Sequence, residues 1–189
     1  MEEKEFTRRR KRLMQMMGHG DIAILPTAPV KIRNRDAEYP YRTDSDFYYL
    51  TGFPEPEAVA VIIPGRKHGE FILFCREKDQ EMETWHGRRA GLEGACEYYG
   101  ADDAFPISDI DEILPGLLEN RERVFYTMGC DAHFDQSVIG WVNQRREKAR
   151  EGMHGTDEGV TPDHPLNDMR RSKSRGQVRN RQEESKSGG

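Results

Sequence analysis

Four residues of the first helical stretch, Phe6, Arg10, Leu13 and Met17, fall at intervals of four, three and four within residues 3–17, on one mainly apolar side crossed by the Arg10 stem. The pattern then changes to short continuous apolar runs. "DIAIL", "AVAVIIP" and "FILFCR" are rich in β-branched and aromatic residues, as strands are, and "GRKHGE" between the last two has glycines suited to a hairpin turn. Helical spacing returns at Leu92, Ala95, Cys96 and Tyr99, with Gly100 as a stop. "DIDEILPGLLE" predicts another helix, interrupted or restarted at Pro115, and "RVFYTMG" a further strand. Val138, Trp141, Val142 and Arg145 mark a last helix that ends in a basic turn. Helices and strands mixed along 189 residues predict one α/β domain with no room for a second full one.

Composition sharpens this. Hydrophobic residues make up only 35% and charged residues 33%, so the core must be concentrated, and it falls between Phe6 and Val142. Residues 167–189 contain only Met169 and Val178 from the hydrophobic set, which predicts a mobile tail unable to offset its ordering entropy. The net charge of -5 argues against a nucleic-acid or anionic-membrane partner. The opening "MEEKEF" lacks a basic-then-apolar leader, and the longest strongly apolar run, "AVAVII", is too short to span a bilayer. Cys75, Cys96 and Cys130 form no CxxC pair, which fits a reducing, cytoplasmic setting better than a disulfide framework or a four-cysteine zinc site.

The stretch "EYPYRTDSDFYYLTGF", residues 38–53, raises a sharper question, because it gathers three acidic side chains and six Tyr or Phe rings. Asp44 or Ser45 can cap a short helical turn there and Gly52 can close it in a left-handed conformation, with some rings turned inward. The pairs Asp44/Asp46, Asp102/Asp103 and Asp109/Asp111 have the oxygen chemistry of hard-metal ligands, but each precedes an apolar stretch, where carboxylates cap helices or punctuate turns. Capping and turns are the expectation. The six histidines, at 19, 68, 86, 133, 154 and 164, form neither HxxxH nor HExxH, and there is no GxSxG elbow. "GRKHGE" lacks the Gly-Lys-Ser/Thr step of a phosphate loop, and "RRRKR", residues 8–12, reads as a solvated helix face. In "TWHGRRAG", residues 84–91, an exposed-looking Trp85 stands next to Arg88 and Arg89, which are bracketed by glycines and not set inside a periodic element. Trp with Arg is the composition of an interface hot spot or of a rim that recognises carboxylates. The alternative is a Trp85 packed over its own loop.

"EYPYRTDSDFYYLTGFPEPEAV", "FILFCREKDQEMETWHGRRAG", "YGADDAFPISDIDEILPGLLENRERVFY" and the helix ending "NQRREKAR" together resemble the N-terminal domain of aminopeptidase P. That family is the Xaa-Pro aminopeptidase branch of the creatinase and methionine-aminopeptidase superfamily. The similarity runs in order over roughly residues 5–165, through several independent motifs. It implies an α/β domain over residues 1–165 with a mixed, six-stranded sheet flanked by helices, in which the aromatic and acidic stretch is a fold signature. Residues 166–189 would be a linker and the start of the first helix of a pita-bread catalytic domain.

In the family that second domain carries two Asp, one His and two Glu around a pair of divalent metals, usually manganese, which activate the hydroxide that attacks the bond before proline. Those ligands have no counterpart in these 189 residues, so the resemblance transfers no catalytic residue and no metal ligand. It transfers Trp85, whose loop in oligomeric relatives reaches a neighbouring subunit's active-site mouth, with Arg88 as its support. Three readings stay open: a domain inactive by itself, an interaction module pairing with itself or with a full-length aminopeptidase P, and the product of an interrupted gene. A surface shaped to meet a partner lobe also predicts self-association.

Overall fold

The computed structural model describes residues 2–28, 32–34, 37–38, 41–150 and 158–160; the expected tail, residues 166–189, lies outside them. The three apolar runs become the centre of a mixed sheet: β1 (Asp21–Pro26), β4 (Val59–Ile62) and β5 (Phe71–Cys75). β1 pairs antiparallel with β4, which pairs antiparallel with β5 through the "GRKHGE" hairpin. β6 (Asp103–Pro106) adds parallel to β5 and β7 (Arg123–Phe125) parallel to β1. With β8 (Glu158–Val160) parallel to β7 at one edge, the order is β6-β5-β4-β1-β7-β8, the mixed six-stranded sheet that the resemblance implies. Two short strands, β2 (Ile32–Asn34) and β3 (Ala37–Glu38), pair separately.

The central strands are continuous apolar runs because both faces of the sheet are covered. Alternate residues serve opposite cores. Ala23, Leu25, Ala60, Ile62, Phe71, Leu73 and Cys75 face α1 (Glu2–Met16), α2 (Ser45–Thr51) and α4 (Gly91–Tyr99). Ile22, Ile24, Val59, Val61, Ile72 and Phe74 face α5 (Ile110–Leu117) and α6 (Ala132–Arg150), which contribute Leu114, Val138 and Trp141. The result is a helix, sheet, helix sandwich.

The aromatic and acidic stretch builds this fold. Asp44 Oδ1 accepts the backbone N–H groups of Asp46 and Phe47, each at 2.9 Å, and so caps α2. Gly52 ends α2 at φ 68°, donating its N–H to Tyr48 O at 2.8 Å. A Cβ at Gly52 would lie 2.4 Å from the Phe6 ring, so the turn requires glycine for both its conformation and its close approach to α1. Phe47 and Phe53 are fully buried and meet edge to face at 6.4 Å, while Phe53 meets Tyr99 of α4 at 4.9 Å.

Several expectations need correction. "RRRKR" is a solvated face only for Arg8, Lys11 and Arg12. Arg10 is 4% exposed, lies 4.1 Å over the Phe71 ring and donates to Leu50 O at 3.0 Å. Arg9 donates to Tyr49 O at 3.1 Å with its guanidinium 4.3 Å over the Tyr49 ring. Both join α1 to α2. Pro115 does not break its helix: α5 runs through it and stops at Leu117. The "RVFYTMG" strand covers only Arg123–Phe125. Of the acidic pairs expected to cap helices or punctuate turns, Asp102 and Asp103 serve a turn: Asp102 Oδ2 accepts the N–H groups of Glu70 and Phe71, each at 2.9 Å, and Asp103 pairs with Arg66 at 2.9 Å, so both fasten the β4–β5 hairpin to β6. Asp111 accepts the Trp141 indole N–H at 2.9 Å, tying α5 to α6, and Asp109 makes no side-chain cap bond.

Candidate functional site

Between the end of β5 and the start of α4 the chain makes an excursion, residues 76–90, that carries Trp85. Asp79 starts a helix there, its Oδ1 accepting the N–H groups of Glu81 and Met82 at 3.1 and 3.2 Å. This helix, α3 (Gln80–His86), ends at Gly87, whose φ of 86° lies in glycine territory and whose N–H donates to Glu83 O at 3.1 Å. Trp85 therefore belongs to the last turn of α3, not to irregular loop. It is 82% exposed, which overturns packing over its own loop. Met82, one turn earlier, is also exposed, and Arg88 is exposed just beyond the helix.

An exposed helix of seven residues has little burial to hold it, so its position depends on polar ties. Glu83 Oε1 accepts the Arg89 N–H at 2.8 Å, and Arg89 reaches back to Glu77 O at 3.2 Å. Glu55, before β4, accepts the Ala90 N–H at 2.6 Å through Oε1 and faces Arg76 at 3.5 Å through Oε2. Arg76 also lies 3.8 Å from Glu57. The Lys78 stem packs against Gly91, where a Cβ would sit 2.7 Å from Lys78 Cγ. Glu55 and Glu83 were not singled out from the sequence; the available signal is Glu55 between two prolines in "PEPE", directly after the aromatic stretch.

The described residues offer little for covalent or metal chemistry. Burial, with Glu55 nearby, pushes the Cys75 thiol up to about 12, so it stays protonated and unreactive at neutral pH. The Tyr126 phenol is pushed up by burial and by its 2.6 Å hydrogen bond to Asp135. His133 and Cys130 are both exposed, and the His133 backbone N–H donates to Asp131 at the start of α6. Among the described residues there is no group of three or more His, Cys, Asp or Glu able to hold a metal ion, so they do not fit the family's metal pair. Nor is any helix among them long and apolar enough to cross a membrane.

Comparison with known proteins places this geometry. The family model described as "Aminopeptidase P, N-terminal domain" matches residues 6–126. The chain is 44% identical over 149 residues to the Xaa-Pro aminopeptidase of Escherichia coli K12, covering 78% of this chain and 33% of that protein. It superposes on Pseudomonas aeruginosa aminopeptidase PepP with a TM-score of 0.90 and 58% identity, over 94% of this chain and 40% of the other. A zinc-substituted E. coli aminopeptidase P in complex with product superposes with a TM-score of 0.87 and 36% identity, over 93% of this chain and 40% of that one. The chain thus spans roughly a third of the length of the curated relatives it matches. Family match, sequence relatives and fold agree: the chain belongs to the aminopeptidase P N-terminal domain family.

Proposed function

We propose that these residues act as the non-catalytic domain of a Xaa-Pro aminopeptidase, presenting Trp85, with Arg88 beside it, to a neighbouring subunit at the mouth of that subunit's active site. The observation that supports this most directly is an indole 82% exposed at the end of a helix fastened by charged side chains at both ends of its excursion. An aromatic ring left in water on an ordered support is suited to fill a partner's pocket.

Hydrolysis of the bond before proline, and the manganese pair that supplies it with an activated hydroxide, belong on this reading to residues outside the domain. The residues here would shape access and assembly. The working compartment would be the cytoplasm, where the free thiols of Cys75, Cys96 and Cys130 persist. A second reading, a module that pairs with itself or with a full-length aminopeptidase P, draws on the same exposed Met82 and Trp85.

The test is to assay the purified chain, supplied with Mn²⁺, on peptides with proline in second position, and to measure its mass alone and mixed with a full-length aminopeptidase P. The expected result is no release of the N-terminal residue by the chain alone, and association that Trp85→Ala weakens. Metal-dependent turnover at enzyme-like rates, or association indifferent to Trp85→Ala, would overturn the proposal.

A further inference from the structure

Both ends of the Trp85 excursion converge on one carboxylate. Glu55 Oε2 faces the Arg76 guanidinium at 3.5 Å where the excursion leaves the sheet, and Glu55 Oε1 accepts the Ala90 N–H at 2.6 Å where it returns. The Glu55 side chain is only 13% exposed, so water competes weakly for either bond. Its own backbone is held as well. Glu55 stands between Pro54 and Pro56, whose rings fix φ, and each proline pushes the residue before it toward extended geometry. Two residues on, Glu57 adopts φ 53°, a left-handed conformation uncommon outside glycine, and its carboxylate lies 3.8 Å from Arg76. The carboxylate is thus delivered by a stiff segment that leads into β4 and lies outside the excursion.

We propose that Glu55 is the positioning residue of the Trp85 excursion, closing residues 76–90 into a loop of fixed shape so that Trp85 meets its partner already in place. This rests on the reading of Trp85 as a presented group. It adds to that reading a residue outside the excursion, in the segment before β4, with a separate consequence. An interface that is ordered beforehand loses less freedom on binding, so Glu55 would act on association through Trp85 without touching the partner. The internal ties of α3, from Asp79 and Glu83, shape the helix but do not leave the excursion; the Glu55 carboxylate ties both ends of the excursion to the segment that leads into β4.

Amide hydrogen exchange on the full chain separates these roles. The informative protons are the Glu83 N–H, bonded to Asp79 O, and the Gly87 N–H, bonded to Glu83 O, since neither touches Glu55. In Glu55→Ala they are expected to exchange at least tenfold faster, while Ile72 and Leu73 in β5 keep their rates. Glu55→Gln retains an oxygen acceptor for Ala90 and is expected to recover most of the protection. Unchanged exchange in α3, an equal rise throughout the sheet, or a Gln variant as fast as the Ala variant would each overturn the proposal. The parent reading fails differently: α3 loosens as expected in Glu55→Ala, yet association with a full-length aminopeptidase P is unaffected by Trp85→Ala.

Discussion

Asp21 and Arg123 face each other across the parallel strands β1 and β7 and form a two-pronged ion pair, Nε to Oδ1 at 2.9 Å and a terminal nitrogen to Oδ2 at 2.8 Å. Asp21 is buried and also accepts the Gly18 N–H at 2.6 Å, so the loop after α1 is fastened to the same carboxylate. The Arg123 side chain is 43% exposed. Removing it leaves a buried carboxylate with one backbone donor. Arg123→Ala is expected to lower the unfolding free energy by about 2 kcal/mol, less than the roughly 3 to 5 kcal/mol of a fully buried pair. Urea denaturation measures it. Asp21→Asn combined with Arg123→Ala should cost less than the two changes summed, because the pair is shared; strict additivity would show the two side chains to be independent.

Gly52→Ala tests whether the aromatic stretch builds the fold. The new methyl group needs a left-handed backbone and meets the Phe6 ring at 2.4 Å, so α1 must shift or α2 must end differently. The expected loss is more than about 1 kcal/mol. Asp44→Ala, which removes only the cap, should cost about 1 kcal/mol. Thermal unfolding compares the two, and a neutral Gly52→Ala would contradict the packing of α1 over this turn.

Cys75 makes a prediction about pH. Its folded thiol is raised to about 12 from an ordinary value near 9, chiefly by burial. In the folded protein a thiol reagent at pH 8 should label the exposed Cys96 and Cys130 and spare Cys75; after denaturation it should label all three. A raised pKa means that the stability Cys75 contributes is whole below about pH 9. It is lost as pH climbs toward about 12, because the unfolded thiol ionises first. Denaturation between pH 9 and 12 should therefore show a shallower decline in Cys75→Ala than in the unaltered chain. Equal slopes would remove Cys75 from the alkaline transition.

How much of this could be seen in the sequence depended on what held each element. β1, β4 and β5 were legible because burial on both sides leaves uninterrupted apolar runs. The α2 turn was legible because its Asp cap and Gly stop are local chemistry. α3 was missed because its only large apolar residues, Met82 and Trp85, point to water, so no buried stripe reveals the helix; Asp79 and the Glu83–Arg89 tie hold it instead. β6 was missed because "DAFP" is four residues at the edge, with an Asp at one end and a Pro at the other. Arg9 misled because charge implies solvent until a carbonyl and an aromatic face are brought to meet it, whereas the spacing already set Arg10 on the apolar side of α1. The candidate site was half legible: the Trp85 loop stood out by composition, whereas Glu55, its partner across 35 residues, is joined to it only by the fold.

On the proposed reading this domain presents Trp85 to a catalytic centre whose metals it does not itself hold. Isothermal titration of the purified chain with Mn²⁺ tests it most directly. No saturable heat and no stoichiometric uptake are expected. Tight binding of one or two Mn²⁺ per chain would contradict it.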